Sequence, residues 1–328
     1  WWAWILCFVL DDLAYYAFHR SAHRVRWFWA SHVIHHSSQH YNLSTALRQT
    51  WTGFFTPGLL VGLPMFWLGF HPLMVVVILT IHGAYSFFTH TQLIGKLGWL
   101  ENVLVTPSLH GVHHASDDKY LDKNYGDVFV FWDKMFGTFQ KEEEPPTYGL
   151  THPIKSNSFL WQHFHYYLEV IEACRTTDGT WNKVKIVFGS PALLDQEIRP
   201  QLERRFLQHK LAATAKFKLK GYINLQLGLS VVILTLTTAF WAYINVVDAL
   251  AILIFVLITL INCGALLEQR KWIYYLECVR LILLFGFVFY QLDWVELVFL
   301  PTIILIILER TFALSSLYKN YVLQYEDI

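Results

Sequence analysis

The chain has 328 residues, with 25 Lys+Arg balancing 25 Asp+Glu, and this zero net charge argues against a nucleic-acid partner. Charged residues make up 15%, against roughly 25% in soluble domains, and hydrophobic residues reach 55%, which excludes both disorder and an ordinary soluble globule. Cys7, Cys174, Cys263 and Cys278 are scattered without a CxxC, so neither a disulfide framework nor a zinc-thiolate site is expected.

In chain order, Trp1–Leu10 reads as the tail of an apolar helix, so the native start is expected to lie upstream. His19 and His23 then form an HxxxH, and His32, His35 and His36 an HxxHH. From 49 to 95 there is no Asp, Glu, Lys or Arg, and Pro57, Pro64, Gly69 and Pro72 interrupt the run. A span needs about 20 apolar residues, so this segment predicts a membrane hairpin of two helices turning near Leu68–Pro72. His110, His113 and His114 repeat the HxxHH. No span-length apolar run occurs between Ala115 and Lys220, and Arg199–Lys220 is strongly basic. Uncharged runs follow at 221–247, 249–267, 281–292 and 297–308, and no period of 20 to 50 residues repeats along the chain. The expected organisation is a catalytic region 1–190, a basic linker 191–220 and C-terminal transmembrane helices 221–328.

A hairpin that enters and leaves the bilayer returns the chain to the side it came from. The three histidine boxes therefore share one face, and the excess of Lys and Arg beside the next span marks that face as cytosolic. The expected fold is all-α, a polytopic membrane helical bundle with a cytosolic histidine-rich di-metal cap.

Residues i, i+3 and i+4 share a helix face, so each box aims its imidazoles at one region. Imidazole suits Fe, Zn, Cu and Ni. The eight histidines of the boxes exceed what one ion holds, and two metals with open positions for oxygen fit the count better. His90, where the hairpin emerges, is a ninth candidate. His82 lies two turns deeper and is either functional or a buried neutral histidine. A lone histidine is usually a satisfied polar residue, and His40, His71, His152, His163, His165 and His209 are read so. Asp12 and Tyr16 precede His19 on its helix face and are candidates to hold a ligand's second nitrogen; Asn42 and Asp118 are weaker ones.

The order of the boxes around a hairpin resembles the fatty acid hydroxylase/sterol desaturase superfamily of membrane di-iron enzymes, and within it the branch that cleaves alkylglycerol ethers. The likeness runs over residues 10–190. It is carried by Tyr15-Tyr16-Ala17-Phe18-His19-Arg20, His35-His36-Ser37-Ser38, Tyr41 to Gln49, Asp122-Lys123-Asn124-Tyr125, Trp132-Asp133-Lys134 with Phe136-Gly137-Thr138, and Tyr148 to Pro153. It implies metal ligands at His19, His23, His32, His35, His36, His110, His113 and His114, with His90 matching the first position of the family's HTE. It also implies a di-iron centre, O2, tetrahydrobiopterin as reductant, and an alkylglycerol cleaved to a fatty aldehyde and a glycerol product, in the endoplasmic reticulum. Two positions depart from the pattern: Arg24 stands where the family has an acid after HxxxH, and HTE becomes His90-Thr91-Gln92. The alternatives are a sterol or fatty-acid hydroxylase or desaturase fed by a cytochrome, a metal transporter, and a catalytically inactive lipid-binding paralogue.

Overall fold

The computed structural model describes residues 1–53, 61–207, 219–270 and 272–322. Among them every named element is helical, and the only β pairing is two isolated bridges, Leu104 with Phe129 and Ala115 with Tyr148. The chain divides into two compact units, 1–155 with 162–206, and 156–161 with 207–328.

The first unit opens with α1 (Trp2–Arg24) and α2 (Arg26–His32). The β-branched Val25 breaks them apart with extended backbone, φ −115° and ψ 120°, and the Arg26 N–H donates to Gly189 O outside the helix. After a 3₁₀ turn at 35–37 and a one-turn helix, Leu43–Ala46, come a short helix, Leu63–Trp67, and then α3 (Pro72–Thr89). Gly69 sits between them at φ 85°, a left-handed turn that a side chain would resist. Pro72 begins α3 where a helix has no use for its missing N–H, and the His71 ring accepts from Leu73 N. α1, the Leu63–Trp67 helix and α3 pack through Cys7, Met65, Val75 and Ile78. The first limb of the expected hairpin falls partly on residues 54–60, outside the described residues; α3 has the length and apolarity of a span. Two short helices follow. α4 (Pro107–His113) is capped by Thr106, and α5 (Phe131–Phe136) stops at Gly137, φ 73°.

In the second unit α6 (Lys220–Ala239), α7 (Val246–Leu267) and α8 (Ile273–Gln291) are each long and apolar enough to cross a membrane. Val231, Val232, Leu236, Leu253 and Ile254 point outward, an arrangement that lipid accepts and water does not. α9 (Leu300–Phe312) follows. α8 is longer than the uncharged run from 281, because Glu277 and Arg280 lie inside it as a buried pair 2.7 Å apart. Arg280 also donates to Gln226 and Tyr222, and Tyr222 to Glu277, so the charges are fully partnered between helices. Arg199, at the start of the basic run, is tied to Glu169 at 2.7 Å and to the His152 carbonyl. Residues 208–218 of that run, with His209, lie outside the described residues.

Candidate metal centre

Local structure presents the imidazoles. His19 and His23 sit one turn apart at the end of α1, His32 ends α2, and His35 and His36 fall in a 3₁₀ turn, 35–37. His90 caps α3 with φ −82° and ψ 66°, where the chain leaves the helix, and His110, His113 and His114 lie on and just after α4. All nine converge into two groups: His19, His23, His32, His36 and His113 in one, and His35, His90, His110 and His114 in the other. Within each group the donor atoms lie within 4.8 Å of one another.

The grouping does not follow the sequence boxes. His32 and His36 stay together, as do His110 and His114, while His35 and His113 join the opposite group. An i, i+4 pair points nearly the same way along a helix, whereas adjacent residues diverge by about 100°. Each HxxHH therefore feeds both groups.

Inside the groups, ring nitrogens face each other. His32 Nε2 lies 3.2 Å from His19 Nε2 and 3.1 Å from His36 Nε2. His90 Nε2 lies 3.2 Å from His35 Nε2, 3.1 Å from His114 Nε2 and 3.2 Å from His110 Nε2. With metal–nitrogen bonds of about 2.0–2.1 Å, neighbouring ligands of one ion stand roughly 3.0–3.4 Å apart. His23 Nε2, His35 Nδ1, His110 Nδ1 and His113 Nε2 are buried without a hydrogen-bond partner. One histidine cannot donate to three facing nitrogens, but a cation can accept from all of them, so the donor set fits two metal ions.

Carbonyl oxygens set the ring orientations. The second nitrogens of His19, His113 and His90 donate from Nδ1 to the carbonyls of Tyr125 (2.9 Å), Lys123 (2.9 Å) and Ser86 (2.7 Å), leaving Nε2 facing inward. Burial pushes His19 and His90 down to about 4. Burial, and then the neighbouring imidazoles, push His23, His32, His110 and His113 well below the ordinary 6.5. The rings are thus neutral, the state in which imidazole binds a metal.

The four expected supporting residues do other work. Asp12 lies two turns from His19 along α1, and its carboxylate accepts from Val128 N (2.9 Å), Phe129 N (3.3 Å) and Trp132 Nε1 (2.9 Å). Tyr16 pairs with Thr138 Oγ1 at 2.9 Å. Asn42 caps the short helix Leu43–Ala46, and Asp118 is exposed. None of the four makes a hydrogen bond to a ring of either group among the described contacts. The residues missed from the sequence are Tyr125, Lys123 and Ser86, which act through backbone oxygens that any residue type carries. Also missed was Asp133, which accepts from Tyr125 N and Gly126 N at 2.8 Å each and holds that loop in place.

Arg24 pairs with Asp122 at 2.6 Å, both half-exposed, and Asp122 in turn accepts from Tyr125 OH. The Gln92 side chain bonds Tyr148 OH. Tyr148 stacks on Tyr41 at 4.9 Å, and Tyr41 lies 5.6 Å from the His90 ring. A cavity of about 570 Å³ reaches His23, His36, His113 and His114, and its walls include Lys155, Glu169 and Glu203.

Comparison with known proteins agrees with this architecture. Residues 4–138 match the model of the fatty acid hydroxylase family, and this segment carries all nine histidines. That segment, about two fifths of the chain, resembles the fatty acid hydroxylase family. More particularly, the chain is 35% identical to human alkylglycerol monooxygenase over 85% of its length and 33% identical to the Danio rerio protein of that name over 86%. It spans 63% and 64% of those two relatives, under two thirds of their length. A more distant likeness, 27% identity over 43% of the chain, is to human cholesterol 25-hydroxylase. No solved structure matches the chain.

Proposed function

We propose that this protein is a di-iron lipid monooxygenase that cleaves the ether bond of alkylglycerols, using O2 and tetrahydrobiopterin. The observation that carries the reading is the pair of histidine groups, whose facing nitrogens stand 3.1–3.2 Å apart with no donors enough to satisfy them. His19, His23, His32, His36 and His113 would hold one ion, and His35, His90, His110 and His114 the other. Bound iron would supply the oxygen activation that side chains lack. The chain's own part is to keep nine imidazoles neutral, to lock ring orientation through the Tyr125, Lys123 and Ser86 carbonyls, and to shield the centre from bulk water. The cavity beside His23, His36, His113 and His114 has a polar wall suited to glycerol hydroxyls. Hydroxylation of the carbon next to the ether oxygen gives a hemiacetal, which collapses to a fatty aldehyde and a free glycerol hydroxyl. The name of the relatives supports this substrate class.

The catalytic region is assigned to residues 1–190, including a membrane hairpin at 49–95. A basic linker follows at 191–220 and C-terminal spans at 221–328. A cytosolic face for the histidines is supported by Arg204 and Arg205 beside the spans, and the endoplasmic reticulum by the family likeness.

The test is aldehyde release from an alkylglycerol by the purified chain in detergent, with iron quantified, O2 present or removed, and tetrahydrobiopterin added or withheld. Turnover that needs both O2 and pterin supports the reading. A second reading, a hydroxylase fed by a cytochrome, is favoured by the likeness to cholesterol 25-hydroxylase. It predicts turnover with reduced cytochrome and none with pterin. Absence of turnover with iron bound in both groups would point to an inactive lipid-binding protein, the reading for which Arg24 leaves room.

A further inference from the structure

About two turns deeper along α1 and α3 lies a cluster the histidine centre does not use. Asp12 precedes His19 by seven positions and His82 precedes His90 by eight, an offset of roughly 10–12 Å at 1.5 Å per residue. Asp127 comes in from the loop before α5. One donor atom from each of Asp12, His82 and Asp127 lies within 4.8 Å of the others, and all three residues are at least nine-tenths buried. Asp11, also buried, brings Oδ2 to 2.8 Å from His82 Nδ1, and Asp127 Oδ2 lies 3.9 Å from the same nitrogen.

These groups crowd together without satisfying one another. His82 has no aligned hydrogen bond at either nitrogen, and neither Asp11 Oδ1 nor Asp127 Oδ2 has a hydrogen-bond partner. Among the described residues no Lys or Arg pairs with Asp11, Asp12 or Asp127. Even a protonated His82 would leave an excess of negative charge among three buried carboxylates, and a buried unpaired charge is expensive. Asp12 is meanwhile fixed by Val128 N, Phe129 N and Trp132 Nε1, the kind of outer bonding that aims a carboxylate ligand.

We propose that Asp12, His82 and Asp127, with Asp11 at their edge, form a third cation site, distinct from the histidine groups, that takes a divalent first-row ion such as Zn2+ or Mn2+. One imidazole with carboxylates is a mixed donor set that suits such ions and neutralises the charge. A structural ion here would tie α1, α3 and the loop before α5 together beneath the histidine centre.

The experiment is titration of the full chain, stripped with chelator in detergent, with Zn2+, counting bound equivalents, together with anomalous scattering at the zinc edge from crystals. The wild type is expected to bind one equivalent beyond those of the two histidine groups. His82→Gln and Asp127→Asn, each checked for an intact thermal transition, are expected to lose that equivalent alone. The anomalous map should place it between Asp12 and Asp127. A His113→Ala variant is expected to lose binding in the group of His19, His23, His32 and His36 and keep this equivalent, so loss of the di-iron reading would leave the third site standing. An empty cluster in the anomalous map, or unchanged stoichiometry in both His82→Gln and Asp127→Asn, would overturn the proposal. The cluster would then be held by protons.

Discussion

At the scale of the residue, the centre is built from imidazoles whose Nε2 atoms face one another at 3.1–3.2 Å. Removing one leaves its neighbours facing a void and the ion short of a ligand. His35→Ala and His113→Ala are each expected to abolish aldehyde release, a loss of at least a hundredfold, and to lower iron per chain. His40→Ala, whose ring is exposed and belongs to neither group, should change neither quantity. Proton binding gives a second prediction. Burial holds His90 at about 4, below the 6.5 of an exposed histidine, and pushes His110 and His113 well below that ordinary value too. Between those values the unfolded chain binds more protons than the folded one. Stability of the metal-free protein should therefore be full above pH 6.5 and fall steadily as pH drops toward 4. Thermal unfolding across that window, after chelation, measures it; a midpoint independent of pH would contradict the neutral cluster.

At the scale of the element, the loop between α4 and α5 is as necessary as the helices that bear the ligands. It is held by Asp133, whose two oxygens accept the Tyr125 and Gly126 N–H groups while Thr138 Oγ1 donates to one of them. Asp133→Asn would turn one acceptor into a donor facing a backbone N–H. The expected cost is about 2–3 kcal/mol, read from thermal unfolding, with reduced iron content because the Tyr125 carbonyl loses its position against His19. Gly126 is the tight point of the same loop: a Cβ there would stand 2.7 Å from Phe129 O and 2.9 Å from Asp133 Oδ2. Gly126→Ala is expected to destabilise by about 1–3 kcal/mol, with the same loss of iron. The boxes on α1, α2 and α4 were legible in the sequence because helical spacing of a scarce ligand type is visible without any partner. The loop's role was not, since a backbone oxygen leaves no mark in residue type. Asp12 was read toward His19 for want of any sign that it reaches Val128, Phe129 and Trp132, more than a hundred positions away.

At the scale of the whole molecule, the second unit places charge inside apolar helices and stabilises it by complete pairing. Glu277→Gln would strand the Arg280 guanidinium among α6 and α8 and is expected to cost about 3–5 kcal/mol in detergent melting. Replacing both Glu277 and Arg280 with Leu should cost clearly less. Equal losses in the single and double variants would show that the pair itself carries the stability.

The amino-acid sequence alone determined that the chain is helical and membrane-borne, since span-length apolar runs and histidines at i, i+3 and i+4 are local patterns that follow from helix geometry and the bilayer. It also determined which nine imidazoles gather. Only the tertiary structure decided how they divide between two groups, which carbonyls turn their rings, and that Asp11, Asp12, His82 and Asp127 meet. Those outcomes depend on the angles at which separate helices and a loop pack, and packing angles are set by contacts between segments far apart along the chain.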